Sequence, residues 1–430
     1  MRLLLKGGRI IDPSQGIDKV ADLLIENGRI AQIGDIDPKS VDKVEDVSGK
    51  MVVPGLIDMH VHFREPGFEH KEDIASGVRA AVAGGFTAVA TMPNTDPVTD
   101  SRPIVEFILS RAKEAGLAKI HPIGALTKEH KNLEMAQIGD MIQGGAVAFS
   151  DDAFPIEDAG MMRRVMEYCA MLDVPVILHC EDKSLADDGL MNEGLLATIM
   201  GLRGIPDEAE EISIARNIAL ARLAGCRVHI AHVSTKGSVD IIRQAKESGM
   251  ELTCETCPQY FTLTEDAVKG YDTNAKINPP LRTAEDVAAI IEGLVDGTID
   301  VIATDHAPHA IEEKETEFAV APCGMIGLET SVGLVMNELV NTRILSAEDA
   351  FMKMSLTPAK ILGLESGTLN VRAAADITVI DPVLEWVVDS SKFYSKAKNT
   401  PLVGRKLTGK PVMTIVDGRI AAKNGEIPLE

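Results

Sequence analysis

The sequence predicts an α/β protein, a (β/α)8 TIM barrel with a small β-sandwich domain formed by the N- and C-terminal segments. Three observations carry that expectation. Through the middle of the chain, apolar β-branched runs alternate with helical stretches, the pattern of βα units around a parallel sheet. Eight such runs fall within about 300 residues, the size of a closed barrel. Both ends read differently, as short strands joined by glycine turns.

At the N-terminal end, residues 2–6 form an apolar run that leads into Gly7-Gly8, and residues 22–25 lead into Glu26-Asn27-Gly28, a hairpin signal. The eight barrel runs follow: 56–63, 87–92, 119–126, 146–150, 174–179, 227–233, 250–256 (with 275–278 close behind) and 300–304. Residues 72–83 and 285–294 are examples of the helical stretches between them. A polar segment, 310–318, comes directly after the last run; it is a mobile active-site loop or a solvated connection, and its place at that end of a barrel favours the loop. Residues 376–380 then form a strand, and 412–420 a hairpin around Asp417-Gly418. The expected domains are therefore 1–52 with 366–430 for the sandwich, and 53–365 for the barrel.

Composition narrows the functional classes. The 430 residues are 45% hydrophobic and 25% charged, which fits a soluble globular protein with a large core. A net charge of -22 repels nucleic acid and anionic membranes, so an anionic small substrate needs local cations to bind. The apolar run at the N-terminus is too short for a signal peptide, and none approaches the roughly 20 residues of a membrane span. Of the six cysteines only Cys254 and Cys257 have CxxC spacing, which reads as two strand thiols. A reducing cytoplasmic location is expected.

Chemistry gathers at the ends of the barrel runs. His60 and His62 are two apart at the end of the first, and alternation along a strand points both imidazoles to the barrel mouth. His179 ends the fifth run, His232 the sixth and Asp305 the eighth, and Asp151-Asp152 follows the fourth. These lie on the face where barrel enzymes work. Imidazole with carboxylate suits zinc or a similar divalent ion, and so many donors fit two metals sharing a bridge. His229 is three residues before His232, an odd spacing, and should face away from the axis as a structural residue. His121 sits early in the third run, His70 and His130 have no equivalent placement, and all three read as structural. Arg64, two beyond His62, can bring a guanidinium to the same mouth and pair with a substrate carboxylate. Its alternative is a surface ion pair with Glu65 or Glu69.

Four segments carry a family resemblance: Asp58-Met59-His60-Val61-His62-Phe63-Arg64-Glu65-Pro66-Gly67, Met92-Pro93-Asn94-Thr95, Asn278-Pro279-Pro280-Leu281-Arg282, and Ala303-Thr304-Asp305-His306-Ala307-Pro308-His309 with Lys314. The chain resembles the dihydroorotases of the class I bacterial type, within the amidohydrolase superfamily, over essentially its whole length. The H-x-H pair and the final aspartate are common to the superfamily; the longer motifs are more specific. The resemblance implies a metal-dependent-hydrolase barrel and the reversible cyclisation of N-carbamoyl-L-aspartate to L-dihydroorotate with loss of water, in de novo pyrimidine (UMP) biosynthesis. It implies one or two Zn2+ per subunit, with His60, His62 and Asp305 on one, His179 and His232 on the other, and Asp152 between them. Its neighbour Asp151 stays open as the alternative bridge. Asp305 is implied as the catalytic proton carrier. Arg64, Asn94 and His309 are implied as partners of the substrate carboxylate, and Asn278 as a ring contact. Residues 310–323 are an expected lid, with Ala321 and Gly324 offering backbone contacts to the ring.

Two departures and two rivals follow. Many superfamily members bridge their metals with a carboxylated lysine after the fourth strand; this chain has no lysine between Lys131 and Lys183, and Ser150-Asp151-Asp152 stands there instead. That lowers the odds of a hydantoinase or allantoinase type of cyclic amidohydrolase. The second departure is Arg372-Ala373-Ala374-Ala375-Asp376, where glycine is expected near a turn. A non-catalytic scaffold for aspartate transcarbamoylase is the other rival, but degenerate relatives lose metal ligands and this chain keeps each one. The resemblance leaves open a homo-oligomer and a complex with aspartate transcarbamoylase in addition to catalysis.

Overall fold

The computed structural model describes residues 2–428; Met1, Leu429 and Glu430, at the extremes of the expected terminal domain, lie outside the described residues. Eight parallel strands run Leu56–Val61, Phe86–Thr91, Lys119–Gly124, Ala148–Ser150, Val176–Leu178, Val228–Ile230, Leu252–Thr256 and Val301–Ile302. Each pairs with the next in chain order, as the eight apolar runs predict. The last strand returns to the first through a parallel bridge between Val61 and His306, with His62 N donating to His306 O at 2.9 Å. Six of the eight strands are covered on both faces and bury every residue, which is why those runs are apolar without clear alternation.

Polar side chains cap the starts of several helices between the strands. Asp73 accepts from Ser76 N at 2.7 Å and Ser76 returns a bond to Asp73 N, starting Ile74–Ala83. Thr283 and Asp286 make the same box at the start of Ala284–Asp296, which ends on Gly297 in the left-handed region. One cluster of apolar side chains lies under the helices, and a second, including Met59, Ala90, Ile123, Ile177, Ala231 and Val301, draws on the barrel strands.

The two chain ends meet in a separate eight-stranded sheet. Met51–Pro54 pairs on one side with Arg2–Asp12 and on the other with Ile377–Val387, so it joins the N- and C-terminal strands. Leu3, Leu5, Leu23, Ile25, Ile377 and Ile415 pack together as this sheet's own core. Its hairpins turn at Asn27-Gly28 (φ 51° and 79°) and Asp417-Gly418 (φ 48° and 76°), the positive-φ pairs that such two-residue turns require. Arg372 sits at φ 80°, which accounts for the glycine expected near that position.

Two features were not foreseen. After the fifth strand the chain adds a small parallel pair, Met191–Asn192 with Gly204–Ile205, around the short helix Leu195–Met200. Residues 275–278, noted as an apolar segment behind the seventh run, form no strand. No helix among the described residues is long and apolar enough to cross a membrane.

Candidate metal centre and substrate mouth

Every residue proposed from the strand ends arrives at the C-terminal mouth of the barrel. His60 is the penultimate residue of the first strand and His62 follows it; Asp152, His179, His232 and Asp305 come just after the fourth, fifth, sixth and eighth strands. The register of the first strand against the second shifts between Asp58 and Val61, at the histidines. Such an irregularity re-aims side chains beside a site, so alternation alone does not set the direction of this pair. His232 and Asp305 have φ of 35° and 50°, backbone uncommon for residues other than glycine and concentrated at functional sites.

One carboxylate stands at the centre of the cluster. Asp152 Oδ1 is 3.6 Å from His60 Nε2, 3.6 Å from His179 Nδ1 and 3.4 Å from His232 Nε2, while Oδ2 is 3.5 Å from His62 Nε2. Asp305 Oδ1 is 3.1 Å from His62 Nε2 and 3.6 Å from His60 Nε2. His179 Nδ1 and His232 Nε2 are 2.9 Å apart. Two groups, His60 with Asp152 and His232, and His60 with His62 and Asp305, each bring three possible ligand atoms within 4.8 Å of one another. His60 Nε2 and Asp152 Oδ1 are buried with no hydrogen-bond partner among the described residues. Burying such atoms is costly unless a cation meets them, so the donors fit a divalent metal, and nitrogen with carboxylate oxygen suits zinc and its neighbours. Burial alone would raise the pKa of Asp152, but the surrounding histidines, His60 foremost, hold it well below the usual range. Asp305 is likewise lowered despite its burial, chiefly by its bond with His62.

Asp151 points elsewhere. Its Oδ1 accepts from Leu126 N at 2.8 Å and from His130 Nδ1 at 2.9 Å; Oδ2 accepts from Thr127 N at 3.1 Å and from the Thr127 hydroxyl. It therefore ties the fourth strand to the loop after the third. Of the two adjacent carboxylates, Asp152 is the one in the histidine cluster.

Behind the cluster lies a layer that sequence reasoning missed. Glu255, on the seventh strand, places Oε1 2.6 Å from His60 Nδ1 and Oε2 3.2 Å from His229 Nε2. His229 Nδ1 in turn lies 2.8 Å from Thr253 Oγ1. His229 thus faces Glu255 and Thr253, outside the histidine cluster around Asp152, and supports Glu255. Asp58 accepts from His60 N at 3.1 Å and from the Thr304 hydroxyl at 2.5 Å, and its burial pushes its pKa up to about 7. The sequence signal for Glu255 is a single acid within an apolar run, between Cys254 and Cys257. Cys254 and Cys257 are buried free thiols, and burial pushes Cys254 up to about 12.

Beside the cluster, Arg64 (φ 61°) donates from Nε to Pro308 O at 3.2 Å, and its Nη2 is 3.4 Å from His309 Nε2. It pairs with neither alternative partner: Glu65 is bound by Arg111 at 2.7 Å, and Glu69 accepts from Gly67 N. Burial lowers Arg64 to about 10, which keeps it charged at neutral pH. His309 donates from Nε2 to Cys323 O at 2.9 Å; burial, with Arg64 and Lys71 nearby, holds its pKa down at about 2 and keeps it neutral. Asn94 Oδ1 accepts from His62 Nδ1 at 2.8 Å. Asn278 reaches the cluster indirectly, donating from Nδ2 to Glu181 Oε1 at 3.1 Å, and Glu181 Oε2 is 3.8 Å from His179 Nε2.

The segment expected as a lid is tied down by two buried ammonium groups. Lys314 Nζ donates to Pro322 O at 2.8 Å and Gly324 O at 3.1 Å, and Lys276 Nζ donates to Phe318 O at 2.7 Å. Asn399, from the stretch between two strands of the terminal sheet, donates to Ala307 O and Gly324 O and accepts from His309 N.

Comparison with known proteins agrees with this geometry. A family model described as Dihydro-orotase-like matches residues 49–238. The curated dihydroorotase of Pelotomaculum thermopropionicum is 54% identical over 424 residues, covering 99% of each chain. That of Geotalea daltonii is 53% identical over 424 residues, covering 98% of this chain and 100% of its own. Among solved structures, the L-hydantoinase (dihydropyrimidinase) of Arthrobacter aurescens superposes with a TM-score of 0.88 at 29% identity, covering 100% of this chain and 97% of its own. A dihydropyrimidinase of Brevibacillus agri shares the fold, with a TM-score of 0.84 at 21% identity, over 99% of this chain and 96% of its own. With identity above one half sustained from end to end, on a barrel whose strand ends gather four histidines around one aspartate, the chain belongs to the dihydroorotase family.

Proposed function

We propose that this chain catalyses the reversible, zinc-dependent cyclisation of N-carbamoyl-L-aspartate to L-dihydroorotate with loss of water, the ring-forming step of pyrimidine (UMP) biosynthesis. The observation that carries the reading is a buried cluster of four histidines around Asp152, with the Arg64 guanidinium at the same mouth. His60, His62 and Asp305 would hold one ion, His179 and His232 a second, and Asp152 would reach both. When bound, such ions supply positive charge that acidifies a water and polarises an amide carbonyl.

The remaining steps belong to side chains. In ring opening, Asp305, held ionised beside the cluster, takes the proton of the attacking water and delivers it to the leaving amide nitrogen; in ring closure it runs the transfer backwards. Arg64 binds the substrate carboxylate through paired N–H donors, Asn94 adds its NH2 group, and neutral His309 completes the pocket. These local donors offset the repulsion expected from a net charge of -22. The six unpaired cysteines support the cytoplasm as the compartment.

The test is turnover of dihydroorotate by purified protein, with metal content measured on the same sample. Activity that vanishes on chelation and returns with zinc is expected. Bound metal without dihydroorotate turnover would move the substrate to the hydantoin or allantoin group. Arg64→Met separates these further: KM for dihydroorotate should rise roughly 100-fold or more, because one partner of a desolvated charge pair is removed. For association, light scattering of the protein alone, and mixed with aspartate transcarbamoylase, tests a homo-oligomer and a complex.

A further inference from the structure

A carboxamide can present either its oxygen or its NH2 group, so an asparagine in a pocket has no fixed polarity until a second partner sets it. The two asparagines of this mouth are set in opposite senses. Asn94 gives its oxygen to His62 Nδ1 at 2.8 Å. A histidine that ligates through Nε2 carries its proton on Nδ1, so Asn94 can only accept there, and its NH2 group is left to donate. Asn278 gives its NH2 group to Glu181 Oε1 at 3.1 Å. A carboxylate only accepts, so Asn278 is left with an oxygen to offer.

Glu181 is itself well fixed. It is 7% exposed, and its second oxygen is bound by the Lys183 ammonium. The backbone beside Asn278 is anchored by the Tyr260 hydroxyl, which donates to Pro279 O at 2.8 Å. Both asparagines are only partly buried, so neither side chain is sealed inside the fold.

We propose that Glu181 is a positioning residue for specificity: by holding the NH2 group of Asn278, it makes that side chain a hydrogen-bond acceptor for a ring N–H of the substrate, opposite an Asn94 that donates to the carboxylate. The pocket thereby selects a cyclic ureide that carries both an acidic group and an unsubstituted ring nitrogen. An N-alkylated ring would leave the Asn278 oxygen without a partner. This inference rests on the reading of Asn278 as a ring contact.

The experiment compares kcat/KM for dihydroorotate with kcat/KM for its two ring N-methyl derivatives, in the wild-type holoenzyme and in Glu181→Gln, with metal content measured on each sample. The glutamine keeps the shape but can also donate, so Asn278 is free to flip. Wild-type enzyme should prefer dihydroorotate over one of the derivatives by roughly 100-fold, because a site built for an N–H rejects an analogue lacking it. In Glu181→Gln that ratio should fall roughly tenfold, the change appearing in KM for dihydroorotate while kcat is kept. A ratio that survives unchanged marks the preference as steric and overturns the proposal, as does loss of metal, which would make Glu181 a support for His179. Asn278→Ala separates the underlying reading: a wild-type KM for dihydroorotate in that variant removes Asn278 from the ring, whereas a raised KM with an unchanged Glu181→Gln ratio overturns the role of Glu181 alone.

Discussion

Glu255 holds His60 from behind: the Oε1–Nδ1 distance is 2.6 Å, and neither side chain is exposed to solvent. Burial would raise the pKa of Glu255, but His60 and then His229 hold it down at about 2. A carboxylate fixed at one imidazole nitrogen orients the ring and makes the other nitrogen a better ligand. Glu255→Gln should therefore weaken metal affinity roughly 10- to 100-fold, with turnover recovering when metal is in excess. Competition against a chromophoric chelator measures this; an affinity equal to that of the wild type would falsify the orienting role.

Asp151 and Asp152 differ only in what they face. Asp152→Asn should lose bound metal and activity together while the fold is retained, because its carboxylate meets ring nitrogens and little else. Asp151→Ala strands two backbone N–H groups, a hydroxyl and the His130 ring, and should cost about 2–4 kcal/mol of stability. Urea unfolding beside metal analysis tells the two apart. Equal metal loss in both variants would mean that Asp151 also serves the cluster.

That pair shows where sequence reading stops. The barrel was legible because strands buried on both faces must be apolar, and the terminal hairpins because Asn27-Gly28 and Asp417-Gly418 have few other backbone options. The candidate metal donors were legible as a set, since residues ending parallel strands share one mouth. Which of two neighbouring aspartates turns inward depends on Leu126, Thr127 and His130, far earlier in the chain, and no local pattern encodes that. Glu255 was hidden for the same reason: its partner His60 is 195 residues away. The Met191–Asn192 and Gly204–Ile205 pair, two residues each, is too short to give a periodic signal.

Lys314 is 4% exposed and meets only carbonyl oxygens, and burial lowers its pKa to about 8. Removing the ammonium leaves the Pro322 carbonyl without its donor and the Gly324 carbonyl with Asn399 alone, and loosens the segment that carries Cys323, the partner of His309. Lys314→Met should speed hydrogen exchange and proteolysis within residues 310–324 and raise KM for dihydroorotate about tenfold or less. Lys314→Arg should restore part of the protection. Exchange identical to the wild type in Lys314→Met would show that Lys276 and Asn399 suffice to hold the segment.

Glu329 lies away from the chemistry and offers a pH test of the fold. Its carboxylate accepts from Tyr394 N at 2.9 Å and Ser395 N at 3.2 Å, yet burial pushes its pKa up from the ordinary 4.5 to about 7. Below pH 4.5 the group is protonated in both folded and unfolded chains and costs nothing. Between about 4.5 and 7 the folded chain binds the proton more tightly, so stability falls as pH rises, and above 7 the full cost of burying the charge is present. A shift of this size corresponds to about 3 kcal/mol at most. Glu329→Gln removes the charge at the expense of one acceptor, so it should be no better than wild type at pH 4.5, gain on it up to about pH 7 and level off by pH 8. Urea unfolding of both proteins across that range reads the difference directly. A difference that does not change with pH would mean that Glu329 stays ionised in the folded chain, with the Tyr394 and Ser395 amides compensating for its burial.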